Sequence, residues 1–171
     1  DDKEAVAWYR LAAKQGDAAA QFNLGLMYQF GRGVTKDDRE AVRWYRLAAE
    51  QGLTRAQYNL GWMHENGIGV AEDYREAVKW YRLAAEQGLA KAQHNLGSMY
   101  RTGRGVTQDY INALLWYRQA AAQGLTKAQF SLGLMYNYGQ GVPQDYKTAV
   151  KWFTLAAKQG YAKSQYNLGL M

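Results

Sequence analysis

Four short glycine loops are the residues of this sequence whose spacing most resembles a chemical motif. They read QFGRGV at 29–34, ENGIGV at 65–70, RTGRGV at 101–106 and NYGQGV at 137–142, at a constant interval of 36 residues. A Gly-x-Gly loop beside a helix can hold phosphate groups with its backbone amides. The loops therefore pose a choice between four nucleotide sites and four turns.

The residues around these loops favour turns over phosphate binding. A dinucleotide-binding loop follows a strand and has a third glycine three residues after the second, and a P-loop ends in Gly-Lys-Ser/Thr. Here each loop follows a predicted helix, and the third-glycine positions hold Lys36, Glu72, Gln108 and Gln144. The glycines are thus expected to supply positive φ angles at a helix end, with the valine packed into the core.

No combination of side chains predicts a catalytic or metal site. The two histidines, His64 and His94, are 30 residues apart, and no repeated carboxylate or nucleophile accompanies them. His64 takes a position that is tyrosine at 28, 100 and 136, so it is predicted to be a core substitution. The absence of cysteine excludes disulfides and thiol chemistry. The sequence predicts no enzyme, no cofactor and no metal.

The composition allows an acidic partner without requiring one. The chain has 21 Lys and Arg against 15 Asp and Glu, a net charge of +6 and a pI near 9.4. No apolar run approaches the roughly 18 residues that a membrane span needs. The sequence starts with aspartate rather than methionine, so the natural start is expected to lie outside it, and no compartment is assigned.

The interval of 36 extends over the whole chain and predicts two kinds of helix. In DYREAVKWYRLAAEQG, 73–88, apolar residues recur at offsets 0, 3, 4, 7 and 8, and we name this the Trp helix. In LAKAQHNLGSMYRTG, 89–103, they recur at offsets 0, 4, 7 and 8, and we name this the LG helix. An aspartate cap and a closing glycine bound the Trp helix. Ten helices are predicted in a single array, at 2–15, 18–30, 38–51, 54–66, 74–87, 90–102, 110–123, 126–138, 146–159 and 162–171.

Each LG helix has a glycine near its middle, where glycine costs about 1 kcal/mol relative to alanine. Five such positions, Gly25 and its equivalents at intervals of 36, would together rival the stability of an ordinary domain. The predicted compensation is close helix packing, with the glycine backbone against an Ala-Ala pair such as Ala48 and Ala49 of a Trp helix.

One complete unit, AQFNLGLMYQFGRGVTKDDREAVRWYRLAAEQG at 20–52, resembles the Sel1-like repeat, a relative of the tetratricopeptide repeat. The resemblance covers the entire chain and implies an all-α, right-handed alpha-solenoid of stacked antiparallel helix pairs. It also implies a non-enzymatic scaffold or adaptor, often bacterial, that binds a peptide or protein in the groove of the superhelix. Members occur as exported or periplasmic and as cytoplasmic proteins. The penicillin binding linked to a cysteine-rich branch is not carried over, because this chain has no cysteine.

The two ends of the array predict self-association. The chain begins with a Trp helix that lacks its LG partner and ends with an LG helix that lacks its Trp partner, and neither end has a polar cap. We expect a segment of a longer array, whose uncapped apolar ends associate with each other.

Comparison of the repeats with one another predicts where a partner binds. The positions that vary on the LG helices fall on one side, opposite the apolar stripe, and match the usual ligand-contact positions of tetratricopeptide domains. We name this side the LG face; it suits a partner with carboxylates and apolar anchors. Its residues are Arg55, Tyr58, Trp62, Glu65, Asn66, Lys91, His94, Ser98, Arg101, Lys127, Phe130, Leu134, Asn137 and Tyr138.

Two alternatives stay open. The aromatic residues of the LG face could pack neighbouring helices together, because aromatic stripes at helical spacing commonly belong to a core. The outer face of the Trp helices has basic rows, Arg39, Arg43 and Arg46 in one repeat, which could bind nucleic acid or another polyanion. We prefer a solvated face with ion pairs such as Arg46 with Glu50.

Overall fold

The computed structural model describes residues 1–171 as ten α-helices without strands. The Trp helices are α1 (Asp2–Lys14), α3 (Asp38–Glu50), α5 (Tyr74–Glu86), α7 (Tyr110–Ala122) and α9 (Tyr146–Lys158). The LG helices are α2 (Ala18–Phe30), α4 (Thr54–Asn66), α6 (Ala90–Thr102), α8 (Thr126–Tyr138) and α10 (Ala162–Gly169). The chain forms two compact units, 1–87 with α1 to α5 and 88–171 with α6 to α10.

The ends of the helices follow from the residues that cap them. At the start of α3, the Asp37 carboxylate accepts hydrogen bonds from the amides of Arg39 (2.9 Å) and Glu40 (3.1 Å), which satisfies two free donors of the first turn. Each Trp helix stops one residue before the predicted bound. In α3 the reason is that Gln51, with φ −81° and ψ 4°, is already the cap and the left-handed Gly52 follows it.

The glycine loops turn the chain, as the sequence indicates. In the second loop, Gly67 and Gly69 have φ angles of 64° and 69°, which side chains other than glycine rarely adopt. A Cβ on Gly69 would also collide with the carbonyl of Asp38 in the first turn of α3. The loop is therefore folded against a helix, and its valine, Val70, is half-buried against the core rather than fully inside it.

An aromatic ring, and not the expected Ala-Ala pair, occupies the space beside four of the five mid-helix glycines: a tyrosine beside Gly25, Gly61 and Gly97, and Phe153 beside Gly133. A Cβ built on Gly61 would lie 2.8 Å from Cδ1 of Tyr81, and one on Gly25 would lie 2.6 Å from Cε1 of Tyr45. Both tyrosine rings are fully buried. The close helix approach is present, but the prediction named the wrong partner, because the ring reaches the glycine before the alanine backbone does.

The repeated tryptophans are less buried than the aromatic residue that follows them. Trp80 is 5% exposed, Trp44 is half-buried, and Trp8 is 64% exposed. Trp44 packs against the preceding repeat, on a cluster that includes Val6 and Leu24. The centre of each repeat is instead the next side chain, which is Tyr45, Tyr81, Tyr117 or Phe153.

A ladder of buried glutamines joins neighbouring repeats. Gln57 of α4 is 4% exposed; its side-chain amide donates to the carbonyl of Ala49 (3.2 Å), and its oxygen accepts from Gln87 (2.7 Å). Gln87 also donates to the carbonyl of Gly52 (3.0 Å). The same pairs form between Gln51 and Gln21, Gln123 and Gln93, and Gln159 and Gln129. This ladder was not predicted, although both glutamine positions recur every 36 residues and could have indicated it.

Candidate partner-binding face

The residues of the LG face are all at least partly accessible, whereas the apolar stripe of the same helices is buried. On α6, Ala92, Leu96 and Met99 are buried, while Lys91 is exposed and Ser98 is half-buried. Five residues of the face are exposed: Arg55, Asn66, Lys91, Lys127 and Tyr138. The other nine are half-buried: Tyr58, Trp62, Glu65, His94, Ser98, Arg101, Phe130, Leu134 and Asn137.

One row of the LG face packs on the core as well as facing solvent. The ring of Tyr58 lies 5.8 Å, centroid to centroid, from the buried ring of Tyr81. The corresponding pairs are Phe22 with Tyr45 (5.6 Å), His94 with Tyr117 (5.4 Å) and Phe130 with Phe153 (5.7 Å). This row therefore helps to hold each LG helix on the next Trp helix, in keeping with the packing alternative, and only its outer edge can meet a partner.

In the first unit, several residues of the LG face already have internal partners. The guanidinium of Arg55 lies 5.8 Å from the centre of the Phe22 ring. The hydroxyl of Tyr81 donates to the Glu65 carboxylate at 2.5 Å, and Asn66 donates to the carbonyl of Trp62 at 2.8 Å. These contacts fix the face of α4 and use part of its hydrogen-bonding capacity.

In the second unit, the structure brings His94, Arg101 and Lys127 into one neighbourhood. The His94 ring lies 3.3 Å from the Ser131 hydroxyl of α8 through Nε2 and 3.3 Å from the Asn95 amide oxygen through Nδ1. Burial lowers the pKa of His94, and the charges of Lys127 and Arg101 lower it further. His94 is therefore neutral near pH 7, and the positive charge of this region comes from the lysine and the arginine.

Helix α8 presents the most continuous stripe of the LG face. Phe130, Leu134 and Tyr138 are four residues apart, so they lie on one side of the helix, and Lys127 precedes them by one turn. Phe130 and Leu134 are half-buried, whereas Tyr138 is 65% exposed. The stripe can offer a cation and three apolar contacts to one ligand.

Charge is distributed very unevenly between the two units. Residues 88–171 have nine Lys and Arg against two Asp, a net charge of +7, whereas 1–87 have twelve against thirteen, a net charge of −1. Both aspartates of the second unit cap helices: Asp109 accepts from the amides of Ile111 and Asn112, and Asp145 accepts from Thr148. The net charge of the whole chain, +6, does not show this asymmetry.

The outer basic rows are engaged more than the sequence indicates. Arg10 donates to the hydroxyl of Tyr28 (2.8 Å), and Arg118 donates to that of Tyr136 (2.6 Å). In the equivalent pair, Arg46 lies 3.3 Å from Nε2 of His64. The predicted ion pair of Arg46 with Glu50 is therefore wrong, because the guanidinium turns to the ring instead. The ion pairs that form are Lys36 with Asp38, Arg43 with Glu40, and Lys79 with Glu76.

His64 occupies its tyrosine-like position as a neutral acceptor. Because arginine only donates, Nε2 of His64 must accept from Arg46 and the proton lies on Nδ1, which is buried without a hydrogen-bond partner. Burial lowers the pKa of His64, and the charge of Arg46 lowers it further. The predicted role as a core substitution agrees with its 4% exposure.

The chain has neither a candidate metal site nor a candidate membrane-spanning helix. No group of three or more His, Cys, Asp or Glu side chains could hold a metal ion. Among the ten helices, none has the length and apolar character of a membrane span.

Comparison with known protein families identifies the same repeat in five successive segments of the chain. The sequence model of the Sel1 repeat family matches residues 1–17, 18–53, 54–89, 90–125 and 126–161. A search of curated proteins finds no match.

Two crystal structures are similar to this chain at more than 40% identity. A protective antigen present in uropathogenic Escherichia coli strains, which displays an SLR fold, is 43% identical, with a TM-score of 0.95 over 99% of this chain. A Sel1 repeat protein from Oxalobacter formigenes is 41% identical, with a TM-score of 0.88 over 97% of this chain. The present chain spans 36% of the first protein and 66% of the second.

A third likeness concerns the fold alone. Helicobacter pylori cysteine rich protein B is 24% identical, with a TM-score of 0.60, and the alignment covers 80% of this chain and 96% of that one. Together with the ten helices and the interval of 36 residues, these matches confirm the predicted fold class, all-α with solenoid repeats of the Sel1 and tetratricopeptide type.

Proposed function

Because the chain belongs to the Sel1 repeat family, we propose that it is a scaffold that binds a peptide or protein partner along the LG face. Sel1 repeat proteins are generally protein-interaction scaffolds without catalytic activity. Beyond this general role, we propose that the partner binds the LG face, mainly in the second unit, and that it is acidic. The main support for this proposal is the second unit, where an accessible face is strongly basic.

The charge of the second unit favours an acidic partner. Lys91 and Lys127 are exposed on adjacent LG helices, and Arg101 is half-buried near them. The only carboxylates of this unit, Asp109 and Asp145, accept hydrogen bonds at helix starts, which lowers the pKa of both. None of the ion pairs of the chain includes Lys91, Lys127 or Arg101, so carboxylates of a partner would supply the opposite charge at these cations.

The apolar stripe of α8 supplies the anchor contacts. Aromatic side chains in partly desolvated positions contribute most to binding at protein interfaces. Phe130, half-buried one turn after Lys127, offers such a position, and Leu134 and Tyr138 continue the stripe toward the end of α8. A segment with one or two carboxylates next to an apolar side chain matches this order of groups.

The first unit contributes less to this proposal. Arg55 lies on an aromatic ring and Glu65 accepts a hydrogen bond from Tyr81, so these groups would lose internal contacts on binding. Trp62 is half-buried against the core of its own unit, and its accessible edge is the best anchor there. We therefore assign the first unit a secondary role in binding.

Polyanion binding through the outer Trp helices is the alternative, with less support. Arg10, Arg46 and Arg118 already have ring partners within their own unit. Arg43 and Lys79 form ion pairs with glutamates. A nucleic-acid site would have to break these contacts or bind between them.

A selection from a random peptide library, followed by titration, tests the proposal. We expect the 171-residue chain to select acidic peptides with an apolar residue, and Lys91→Glu with Lys127→Glu to weaken binding by about tenfold or more. The matched control is Lys151→Glu with Lys158→Glu, which makes the same change of charge on α9. It spares Lys147, which lines a cavity together with Asn137 and Tyr138 of the LG face. Equal weakening by both variants would show attraction by net charge alone, and no weakening by the first would move the site away from the LG face.

A further inference from the structure

Helix α7 breaks the basic pattern of the outer rows. Its Ile111 occupies the position of Arg39, Arg75 and Lys147 in the other repeats, and its Leu115 occupies that of Arg43, Lys79 and Lys151. Ile111 is 72% exposed and Leu115 is 50% exposed. Two aliphatic side chains one turn apart are thus presented to solvent where most of the other repeats have cations; the exception is Ala7, at the position of Leu115 in the first repeat.

The acidic residues of the outer face are also absent from α7. Asn112 replaces Glu40 and Glu76 of other repeats, and Ala122 replaces Glu50 and Glu86. Arg118, the only charged side chain of α7, donates to the hydroxyl of Tyr136 and so points toward its own unit. The replacement is therefore a property of the whole helix.

A basic row follows the loop that contacts the start of α7. The loop before α9 is seated on the first turn of α7, since a Cβ on Gly141 would lie 2.7 Å from the carbonyl oxygen of Tyr110. Helix α9 has no acidic residue, and Lys147 and Lys151 are exposed on it. Tyr146, next to Lys147, is 59% exposed. Because Lys147 and Lys151 occupy in α9 the repeat positions that Ile111 and Leu115 occupy in α7, the cationic and aliphatic side chains lie on the equivalent face of their helices.

We propose that the outer surface of α7 and α9 docks on an anionic lipid bilayer, with Ile111 and Leu115 entering the headgroup region. Lysines 147 and 151 would then lie against the lipid phosphates and carboxylates. Peripheral binding of this kind combines a small apolar insertion with electrostatic attraction, and each contributes to the affinity. The proposal does not require partner binding on the LG face, although Tyr146 and Lys147 border the same cavity as Asn137 and Tyr138 of that face.

The pattern of replacements favours a bilayer over a nucleic acid. Binding to nucleic acid depends on cations that neutralise phosphates and on aromatic rings that stack on bases. Helix α7 has aliphatic side chains at two positions where most other repeats have cations. These side chains cannot contact phosphates, and they provide no aromatic ring that could stack on a base. The same side chains strengthen attachment to a bilayer, because aliphatic groups leave water there.

Co-sedimentation of the 171-residue chain with vesicles tests the proposal. We expect binding to phosphatidylcholine vesicles that contain about 30% phosphatidylserine, and little binding to phosphatidylcholine alone. Ile111→Arg with Leu115→Lys restores the residues of the other repeats and raises the net charge of +6 by two. This variant should nevertheless bind at least about fivefold more weakly, because the apolar insertion is lost.

Whether Ile111→Arg with Leu115→Lys weakens or strengthens vesicle binding distinguishes apolar insertion from attraction by charge alone. Tighter binding of the more basic variant, to vesicles or to a random DNA duplex, would mean attraction by charge alone and would overturn the proposal. Absence of binding by the unaltered chain would overturn it as well. Ile111→Gln with Leu115→Gln changes no charge and should also lose binding, which covers the case in which the first variant does not fold. Lys147→Gln with Lys151→Gln should weaken binding through the electrostatic part.

Discussion

The ring of Tyr81 fills the volume that a side chain at Gly61 would need, with Cδ1 only 2.8 Å from the Cβ position. The same relationship joins Gly25 to Tyr45 and Gly97 to Tyr117. A glycine in the middle of a helix is thereby offset by the packing of a fully buried aromatic ring on the bare backbone.

Replacement of this glycine by alanine should destabilise the protein, although alanine favours a helix by about 1 kcal/mol. We expect Gly61→Ala to lower the free energy of unfolding by about 1 to 3 kcal/mol, because the Tyr81 ring must shift in a packed core. The matched control is Gly169→Ala, where no atom lies within 4 Å of the Cβ position. Urea unfolding of both variants checks this, and equal effects would contradict the packing explanation.

The glutamine ladder should matter most where it is buried. We expect Gln57→Ala to lower the free energy of unfolding by about 1 to 3 kcal/mol, because the carbonyl of Ala49 and the side chain of Gln87 each lose a hydrogen-bond partner. The control is Gln165→Ala at the equivalent position of α10, where the glutamine is exposed. Thermal or urea unfolding compares the two, and a larger loss for the control would count against the ladder.

His64 should make the protein less stable at acidic pH. Its pKa is lowered below 6.5 in the folded chain by burial and by Arg46 and Lys79, while Glu76 and Asp73 oppose the shift. The unfolded chain therefore takes up the proton first, so the stability is fully present above the unfolded pKa of 6.5 and falls as the pH drops below it.

The matched variant is His64→Tyr, which restores the residue found at positions 28, 100 and 136. Because Arg10 and Arg118 donate to tyrosine at these positions, Arg46 should keep a partner. We expect the free energy of unfolding of the variant to decrease less than that of the unaltered chain between neutral pH and pH values just below 6.5. His94 contributes equally to both chains, so parallel pH profiles would exclude the role of His64.

The 171-residue chain should self-associate through its exposed apolar end faces. Trp44 packs on the cluster of the preceding repeat, whereas Trp8 is 64% exposed and Leu11 is 53% exposed. Leu170 and Met171, which follow the last helix, are exposed. Light scattering should show an apparent mass that rises with concentration, and Trp8→Gln with Leu11→Gln should reduce this rise.

The control for self-association is Phe30→Gln, which removes an exposed aromatic side chain from the end of α2. It should leave the concentration dependence unchanged. A monomer at millimolar concentration would refute the prediction for the unaltered chain.

The sequence by itself determined the helices, their ends to within one or two residues, and the fold class. The interval of 36 residues, the apolar periodicity and the capping aspartates and glycines are local features, and local hydrogen bonding and backbone sterics make them decisive. The same features distinguished turning loops such as the one around Gly69 from phosphate-binding loops. They also placed the LG face on one side of its helices, since side-chain direction follows from helical geometry.

Only the tertiary structure decided which partner each side chain takes. Sequence periodicity gives Trp80 and Tyr81 similar places on the apolar stripe, yet the tyrosine fills the space beside Gly61, because contact depends on the distance and angle between two helices. For the same reason Arg46 pairs with His64 rather than Glu50. The buried glutamine contacts and the different use of Arg55 and Lys127 likewise depend on neighbours 30 or more residues away, which a periodic pattern does not identify.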